Sequence, residues 1–288
     1  MDLPFTQKPF RRFSPTNIMK IARVFPTKTS MTPRDKDAYY NTPDLFTPKY
    51  KEVHISVTFT WDKDKADRLA FAWEKHGRVR IGGIAIDGES DQPFQAGMYL
   101  KHGVTITSRG CPNNCWFCLV RRGLIELSKF PEGNIVQDNN FLACSKKHRN
   151  RVYDMLRKQK QIEFKGGLDK RLVTPEIADE LRSLKIKTLW LACDMPNDIK
   201  PLAKAVELLL NAGFKRSHLY CYVLIGKDIQ EEESRMREVF KLGAMPFAQL
   251  YRDPQDNIKY SKEWKQFARK WSRPAIIRNM CNEGQIAQ

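Results

Sequence analysis

The stretch TSRGCPNNCWFCLV (residues 107–120) decides how this chain is interpreted, because it places three cysteines within eight residues. Cys111, Cys115 and Cys118 stand in the spacing C-x3-C-x2-C, and no fourth cysteine lies close to them in sequence. Clustered thiols in a chain of this length favour metal or redox chemistry over a disulfide framework. The set is one ligand short of the four that a closed tetrahedral site requires.

The composition predicts one or two globular domains in a reducing compartment. The chain has 288 residues, and its hydrophobic fraction of 41% with 11% aromatics is enough for a large core. No apolar run approaches the roughly 18 residues that cross a bilayer. The N-terminus, MDLPFTQKPFRRF, lacks the apolar core of a signal peptide. We therefore expect a cytoplasmic protein with no membrane partner.

The charge balance suggests a polyanionic partner. Fifty Lys and Arg residues against thirty-three Asp and Glu residues give a formal net charge of +17. The segment 140–172 concentrates the excess, with ten basic residues against three acidic ones. Such a field attracts nucleic acid, although a solvated helix face would give the same composition. The charge leaves both interpretations open.

The first 96 residues predict a small α/β domain. NIMKIARVF (17–25), VHISVTF (53–59) and VRIGGIAI (79–86) have the apolar, β-branched character of strands. A helix after Asp62 places apolar side chains on one face and ends at Gly77. Strand, helix and strand in this order predict parallel pairing.

Residues 97–252 predict six alternating strands and helices. Short apolar strand candidates recur every 25–32 residues, the length of one strand–helix unit. They begin near Val104, Asn134, Ile162, Lys187, Leu219 and Pro246. Thr174 caps one intervening helix, and Gly213 and Gly243 end the next two. The pattern predicts a parallel sheet that curls into a partial (β/α)6 barrel of the TIM type.

The C-terminal segment 253–288 predicts an amphipathic helix. KEWKQFARKW carries Trp264, Phe267, Ala268 and Trp271 on one helical face. We expect this face to pack onto the barrel core. The cysteines at 193 and 221 fall within predicted apolar strands, and we expect them to be core residues as well.

The cysteine cluster follows the first barrel strand, at the face where barrels carry their active sites. Thiolates hold iron–sulfur clusters. A four-iron cluster with three cysteine ligands keeps one iron open to an external ligand, as a catalytic zinc keeps an open position. Under this hypothesis the missing fourth cysteine is the functional feature.

CPNNCWFC resembles the C-x3-C-x-aromatic-C signature of the radical S-adenosylmethionine (SAM) superfamily, with Phe117 at the aromatic position. The resemblance extends over residues 100–252. It implies that Cys111, Cys115 and Cys118 ligate a [4Fe-4S] cluster and that Phe117 flanks the adenine of SAM. It further implies reductive cleavage of SAM to a 5′-deoxyadenosyl radical and a reducing partner such as flavodoxin or ferredoxin.

Two other interpretations of the motif remain. Zinc would need a fourth ligand, which Cys144 could supply across an unusually long gap. The pair Cys115 and Cys118 could form a dithiol redox site, but Cys111 would then have no role.

Polar residues and glycines at the other strand ends are candidates for holding SAM. Gly166 and Gly167 permit close backbone approach, whereas Asp169 and Arg171 are charged partners for the methionine ammonium and carboxylate. Asp194 is a candidate for a ribose hydroxyl, and Gly226 resembles the glycine that the family sets against adenine. The second barrel strand is followed in sequence by Asp138, Asn139 and Asn140, which we expect to face the cluster. Each of the polar residues is also a common turn or cap residue.

Two features bear on the reaction. Cys144 is a candidate for relaying a radical or accepting a methyl group, although single cysteines are usually small buried apolar residues. The segment 53–86 resembles the second half of the Rossmann-like domain of cobalamin-dependent radical SAM proteins. The D-x-H-x-x-G motif is absent, so we expect no cobalamin. The whole chain resembles small radical SAM proteins of bacteria and their phages.

Two classes of function follow. The first is a radical SAM enzyme that modifies an unidentified substrate, with nucleic acid or a nucleotide as the candidate. The second is a nucleic-acid-binding protein with a structural, cysteine-ligated zinc or iron–sulfur site. SAM cleavage separates the two classes.

Overall fold

The computed structural model describes residues 21–87, 98–120, 123–253 and 257–286, and it is a mixed α/β protein with parallel-strand sheets. Contacts divide the chain into two compact units, the first ending at His102 and the second beginning at Gly103. The beginning of the strand predicted at 17–25, the N-terminal segment 1–13 and the boundary predicted near residue 96 lie outside the described residues. None of the described helices has the length and apolarity needed to span a bilayer.

The first unit contains a four-stranded parallel sheet in the order β2-β1-β3-β4. The strands are β1 (Ile21–Val24), β2 (Ala38–Tyr39), β3 (Glu52–Ser56) and β4 (Arg78–Gly82). Helix α1 (Lys63–Trp73) follows β3 and buries Ala66, Leu69 and Trp73 against the sheet. The presence of the three predicted strands, the apolar helix face and the parallel pairing are confirmed for the described residues, whereas β2 was not predicted.

The third predicted strand of this unit is too long. It was expected to run from 79 to 86, but β4 ends at Gly82 and the short helix α2 (Ile84–Asp87) begins at once. Gly83 has a φ of +114°, and a Cβ there would lie 2.6 Å from the carbonyl oxygen of Val57. The Gly-Gly pair therefore turns the chain out of the sheet, so the apolar residues after it form no strand.

The second unit opens with strand β5 (Gly103–Thr105), which leads into an antiparallel hairpin. The hairpin strands are β6 (Ser108–Cys111) and β7 (Gly123–Glu126), with Cys111 opposite Gly123. This hairpin was not predicted. Its first strand is the polar tetrapeptide SRGC, which carries no apolar alternation for a strand prediction to detect.

Six strands form a parallel sheet in chain order, β12-β11-β10-β9-β8-β5. After β5 these are β8 (Gly133–Val136), β9 (Ile162–Phe164), β10 (Ile186–Ala192), β11 (Leu219–Ile225) and β12 (Met245–Leu250). All six predicted strands are present, and neighbouring strands pair in parallel. No ladder between described residues joins β5 to β12, so this sheet is not a closed barrel.

Helices connect these strands and pack against them. They are α3 (Lys146–Arg157), α4 (Pro175–Arg182), α5 (Ile199–Asn211), α6 (Ile229–Leu242), α7 (Lys262–Lys270) and α8 (Pro274–Ile286). Thr174 caps α4 through Ile177 N–H, and Gly243 ends α6 with a φ of +114°, as predicted. Helix α8 was not predicted, although its Pro274 is a typical first helical residue.

The core of the second unit lies between the sheet and its helices. Alternate residues of β11 are buried there, from Leu219 to Ile225, and Cys193 and Cys221 belong to the same core as predicted. Phe267 and Trp271 of the C-terminal region also lie in it. The predicted packing of α7 onto this core is confirmed.

Candidate functional site

The three clustered cysteines lie on the hairpin and in its connecting loop. Cys111 ends β6 and is half-buried, whereas Cys115 and Cys118 are exposed in the loop before β7. A turn closes between them through Cys118 N–H and the carbonyl oxygen of Cys115 at 3.1 Å. All three are free thiols. The hairpin thus presents three sulfur donors on a short, exposed segment.

Two amide groups donate to the sulfur of Cys111. The backbone N–H of Asn113 and the side-chain Nδ2 of Asn140 each lie 3.4 Å from Sγ. These two bonds connect the Cys111 sulfur to the loop and to Asn140. Asn140 follows β8, which connects the cysteine hairpin to the carboxyl end of the main sheet. Asn139 adds a second connection, since its Oδ1 accepts from Gly110 N–H at 3.0 Å.

Asp169 and Arg171, which follow β9, pair with each other. Arg171 donates Nε to Oδ1 at 2.9 Å and Nη2 to Oδ2 at 2.8 Å, and Asn113 and Asn140 also donate to Oδ2. Burial opposes ionisation of Asp169, but the hydrogen bonds from Arg171 and Asn113 outweigh it and hold the pKa below its ordinary value. Arg171 remains half-exposed. The Asp169 carboxylate therefore accepts hydrogen bonds from the protein itself, whereas the Arg171 guanidinium is still partly exposed to solvent.

Electrostatics connect Cys115 to two strand ends. Burial raises the pKa of the Cys115 thiol, the neighbouring thiols of Cys118 and Cys111 raise it further, and Asp194 does so more weakly. Arg171 acts in the opposite direction and lowers it. The exposed loop is thus within electrostatic range of the residues that follow β9 and β10.

Asp194 follows β10, and the pKa of its carboxyl group is raised. Burial raises its pKa to about 6, against the opposing influence of Lys170. Its Oδ1 accepts from the backbone N–H of Leu224 at 3.2 Å. Lys170 itself pairs with Asp198 at 2.8 Å. With a pKa of about 6, this carboxyl group is mostly ionised at pH 7 and can accept a hydrogen bond from a hydroxyl group.

Trp116 packs the loop onto the ends of the last two strands. Lys227, after β11, lies 4.5 Å from the centre of the Trp116 ring, and Tyr251, after β12, has its ring centre 5.3 Å away. Phe117 meets Trp116 edge-on at 5.5 Å. Phe117 was predicted from the sequence to belong to the site, whereas Trp116, Lys227 and Tyr251 were not. The adjacent aromatic residues in the motif were a signal that the loop has a packing surface.

The ring of Tyr260 covers Gly226, the predicted adenine contact. Gly226 has a φ of +135°, and a Cβ there would lie 2.2 Å from Tyr260 Oη. That hydroxyl donates to the carbonyl oxygen of Tyr251 at 2.8 Å. Glu232 holds the turn by accepting from Gly226 N–H at 2.8 Å and Lys227 N–H at 3.1 Å. In this structure the closest neighbour of Gly226 is therefore a side chain of the protein.

The two glycines after β9 differ. A Cβ at Gly166 would lie 1.8 Å from the carbonyl oxygen of Asp138, so Gly166 permits a close approach between two chain segments. Gly167 has a φ of +89°, and nothing lies within 4 Å of the position of its Cβ. Of the two, only Gly167 borders open space.

Asp138 and Cys144 lie in a buried cluster beside β6. Asp138 accepts from Thr107 N–H at 2.6 Å, Thr107 Oγ1 at 2.5 Å and Ser108 Oγ at 2.7 Å. Burial nevertheless raises its pKa. Burial also raises the pKa of Cys144 to about 11, which keeps this thiol protonated at neutral pH. The ligand atoms of Asp138, Cys144 and His148 all lie within 4.8 Å of one another.

This buried cluster is a weak metal site. His148 uses both ring nitrogens, since Nε2 lies 3.3 Å from Thr107 Oγ1 and Nδ1 lies 3.2 Å from Arg151. Asp138 already has three donors, and a guanidinium next to the imidazole disfavours a cation. The polar groups of Asp138 and His148 therefore have hydrogen-bond partners without a metal. The bonds to Thr107 and Ser108 also hold the residues that precede Cys111.

The three thiols of the cysteine loop are the ligand type that holds iron–sulfur clusters and also zinc. The loop also lines a cavity of about 330 Å³ that includes Cys115 and Cys118.

The site therefore gathers the three cysteines with Asn140, Asp169, Arg171 and Asp194 at the carboxyl ends of the parallel strands. Asp138, Cys144 and Gly166 lie behind it as supports. Comparison of the chain with protein-family models gives no match, and comparison with curated proteins gives none either.

Proposed function

We propose that this chain is a radical SAM enzyme whose cysteine hairpin binds a [4Fe-4S] cluster at the open end of a partial (β/α)6 barrel. One observation carries the proposal: the segment from Cys111 to Cys118 contacts residues that follow four of the parallel strands. The contacts are Asn140 after β8, Asp169 after β9, Lys227 after β11 and Tyr251 after β12. Carboxyl ends of parallel strands are where α/β folds carry ligand sites.

Cys111, Cys115 and Cys118 would hold the cluster, and the amides of Asn113 and Asn140 would keep the Cys111 sulfur in position. A reduced cluster of this kind supplies the electron that cleaves a sulfonium carbon–sulfur bond of SAM to a 5′-deoxyadenosyl radical. The exposed position of Cys115 and Cys118 leaves the loop accessible to a reducing protein such as flavodoxin or ferredoxin.

Residues of the chain would then orient SAM around the loop. The open face of Arg171 suits the SAM carboxylate, and Asp194 suits a ribose hydroxyl. Asn140 Oδ1 is buried and lacks a hydrogen-bond partner among the described residues, which leaves an acceptor for the SAM ammonium. Gly167 borders the open space that a ligand needs.

Two residues named from the sequence take supporting roles in this proposal. Asp138 holds Thr107 and Ser108, and Gly166 lets β9 approach Asp138. Adenine reaches Gly226 only when Tyr260 moves. Phe117 keeps its proposed place beside adenine, while a protonated Cys144 is a poor methyl acceptor.

The substrate in this proposal is a nucleic acid or nucleotide in the cytoplasm, and the enzyme uses no cobalamin. The formal charge of +17 supports a polyanion, because long-range attraction raises its local concentration. Two of the basic residues in 140–172 have structural roles. Arg149 donates to the carbonyl oxygens of Leu142 and Cys144, and Arg151 donates to that of Leu127. Lys146 and Lys147 are exposed at the start of α3.

The test is reductive SAM cleavage by anaerobically purified protein. We expect 5′-deoxyadenosine to form from SAM with dithionite, and mass spectrometry of nucleosides from added cellular RNA and DNA to reveal a modified nucleoside. Protein that contains zinc, lacks iron and ignores SAM would support the second class instead, a nucleic-acid-binding protein with a structural metal.

A further inference from the structure

A second cavity lies at the amino ends of β11 and β12. Its volume is about 380 Å³, within the roughly 300–1,000 Å³ typical of small-molecule sites. Tyr220 near the start of β11 and Met245 at the start of β12 line it. The cysteine loop contacts the carboxyl ends of the same strands, which are roughly 17–20 Å away at about 3.3 Å per residue. The two sites are therefore separate.

The walls of this cavity are basic. Arg216, Lys241 and Arg278 line it, and none of its described lining residues is an aspartate or glutamate. Nor does any of the three cations form an ion pair with a carboxylate of a described residue. Arg216, Lys241 and Arg278 are exposed, and three positive charges around one concavity attract a polyvalent anion.

Arg216 is held in position by the protein. Its Nη2 donates to the carbonyl oxygens of Phe240 at 2.6 Å and Lys241 at 3.2 Å, at the end of α6. These bonds occupy the negative end of the helix dipole, which would otherwise repel an anion. They leave other guanidinium N–H groups for a ligand, and a prepositioned arginine loses little entropy on binding phosphate.

Aromatic rings complete the lining. Tyr220 and Phe240 both border the cavity, together with the hydroxyl-bearing Ser217. On its other side Tyr220 stacks on Trp190, with ring centres 4.7 Å apart, so its position is fixed. An aromatic wall beside clustered cations matches a ligand that combines a planar ring with a phosphate.

We propose that this cavity binds the phosphate and base of a nucleoside phosphate, either free or at the end of a single-stranded nucleic acid. The inference does not require the proposed radical chemistry, because binding is measured without SAM or reductant. If AMP binds but SAM is not cleaved, only the radical SAM proposal fails. If SAM is cleaved but AMP does not bind, only the proposal for this cavity fails.

The experiment is calorimetric titration of the full-length protein with AMP, adenosine, inorganic phosphate and 5′-phosphorylated or 5′-hydroxyl oligonucleotides. We expect AMP to bind more tightly than adenosine or phosphate, and Lys241→Gln and Arg278→Gln each to weaken it about threefold to tenfold. Lys204→Gln, an exposed lysine on α5 outside the cavity, should leave binding unchanged. Arg216 is left intact because it caps α6.

The oligonucleotides distinguish the source of the ligand. Tighter binding of the 5′-phosphorylated strand than of both AMP and the 5′-hydroxyl strand identifies a nucleic-acid end, whereas binding of AMP alone identifies a free nucleotide. No saturable binding of any probe, equal binding of AMP and inorganic phosphate, or binding that both cavity variants leave unchanged would overturn the proposal.

Discussion

Asn140 donates its side-chain amide to the sulfur of Cys111 at 3.4 Å, so the residues after β8 are bonded directly to the first cysteine of the motif. The same amide reaches Asp169 at 3.3 Å. One side chain thus joins the cysteine hairpin, the end of β8 and the end of β9. The position of Cys111 therefore depends on residues at the ends of β8 and β9 as well as on the loop.

The Asp169–Arg171 pair predicts a stability difference that depends on pH. The pKa of Asp169 is lowered in the folded protein, so its carboxylate stabilises the fold above the unfolded-state pKa of roughly 4 and loses this effect as pH falls further. We expect Asp169→Asn to cost about 1 kcal/mol at pH 7, since Arg171 is half-exposed. Urea unfolding at pH 7 and at about pH 2.5, below the unfolded-state pKa, measures the difference.

Asp154→Asn is the matched control for that experiment. Asp154 pairs with Arg157 on the exposed face of α3, and we expect its replacement to change the urea midpoint little at either pH. Equal effects of the two substitutions, or a loss for Asp169→Asn that grows as pH falls, would contradict the assigned role of Asp169.

Asp194 predicts the opposite pH dependence. Its pKa is raised to about 6 by burial, so the unfolded chain loses its proton first and stability falls as pH rises from about 4 to about 6. We expect Asp194→Asn to remove this loss and to gain roughly 1–3 kcal/mol relative to wild type between pH 4 and pH 7.5. Urea midpoints across this range, with Asp179→Asn on α4 as control, test it. If stability depends on pH in the same way for wild type and Asp194→Asn, the pKa of Asp194 is not raised in the folded protein.

The adjacent glycines Gly166 and Gly167 predict different costs for the same substitution. Alanine at Gly166 places a Cβ 1.8 Å from the backbone of Asp138, and we expect a loss of about 3 kcal/mol or more because backbone must move. Alanine at Gly167 meets no atom within 4 Å and suffers only its positive φ, at about 1–2 kcal/mol. Thermal unfolding of both variants measures the two losses of stability. A larger loss for Gly167→Ala than for Gly166→Ala would show that the close approach of Gly166 to Asp138 is wrong.

The basic start of α3 predicts salt-dependent binding of nucleic acid. We expect affinity for single-stranded RNA to fall steeply with salt, and Lys146→Gln with Lys147→Gln to reduce the slope of log K against log salt by about one to two. Filter binding between 50 and 200 mM KCl measures the slope. An affinity independent of salt would remove nucleic acid from the proposed substrates.

Most of the second unit could be predicted from sequence, because its strands and helices have regular apolar patterns. The six strands, the Thr174 cap and the Gly243 stop follow from local chemistry that tertiary contacts do not override. The strand predicted through Gly83 failed because a positive φ, required by the nearby backbone of Val57, turns the chain after Gly82.

Much of the site was beyond sequence reasoning, since it depends on contacts between distant residues. Asp169 and Arg171 were expected to bind two ends of a ligand, yet they pair with each other. The phenol of Tyr260 lies over Gly226 from nine residues beyond Tyr251, a placement that no local pattern encodes. The cysteine spacing identified the loop, but only the fold identifies its neighbours.

The most direct test of the central claim is the metal content of anoxically purified protein, measured as iron, acid-labile sulfide and zinc. We predict about four iron atoms and four sulfides per chain, retained in Cys144→Ala and lost in Cys115→Ala, because only the second thiol belongs to the loop. Stoichiometric zinc without sulfide, or full iron retention in Cys115→Ala, would contradict the account.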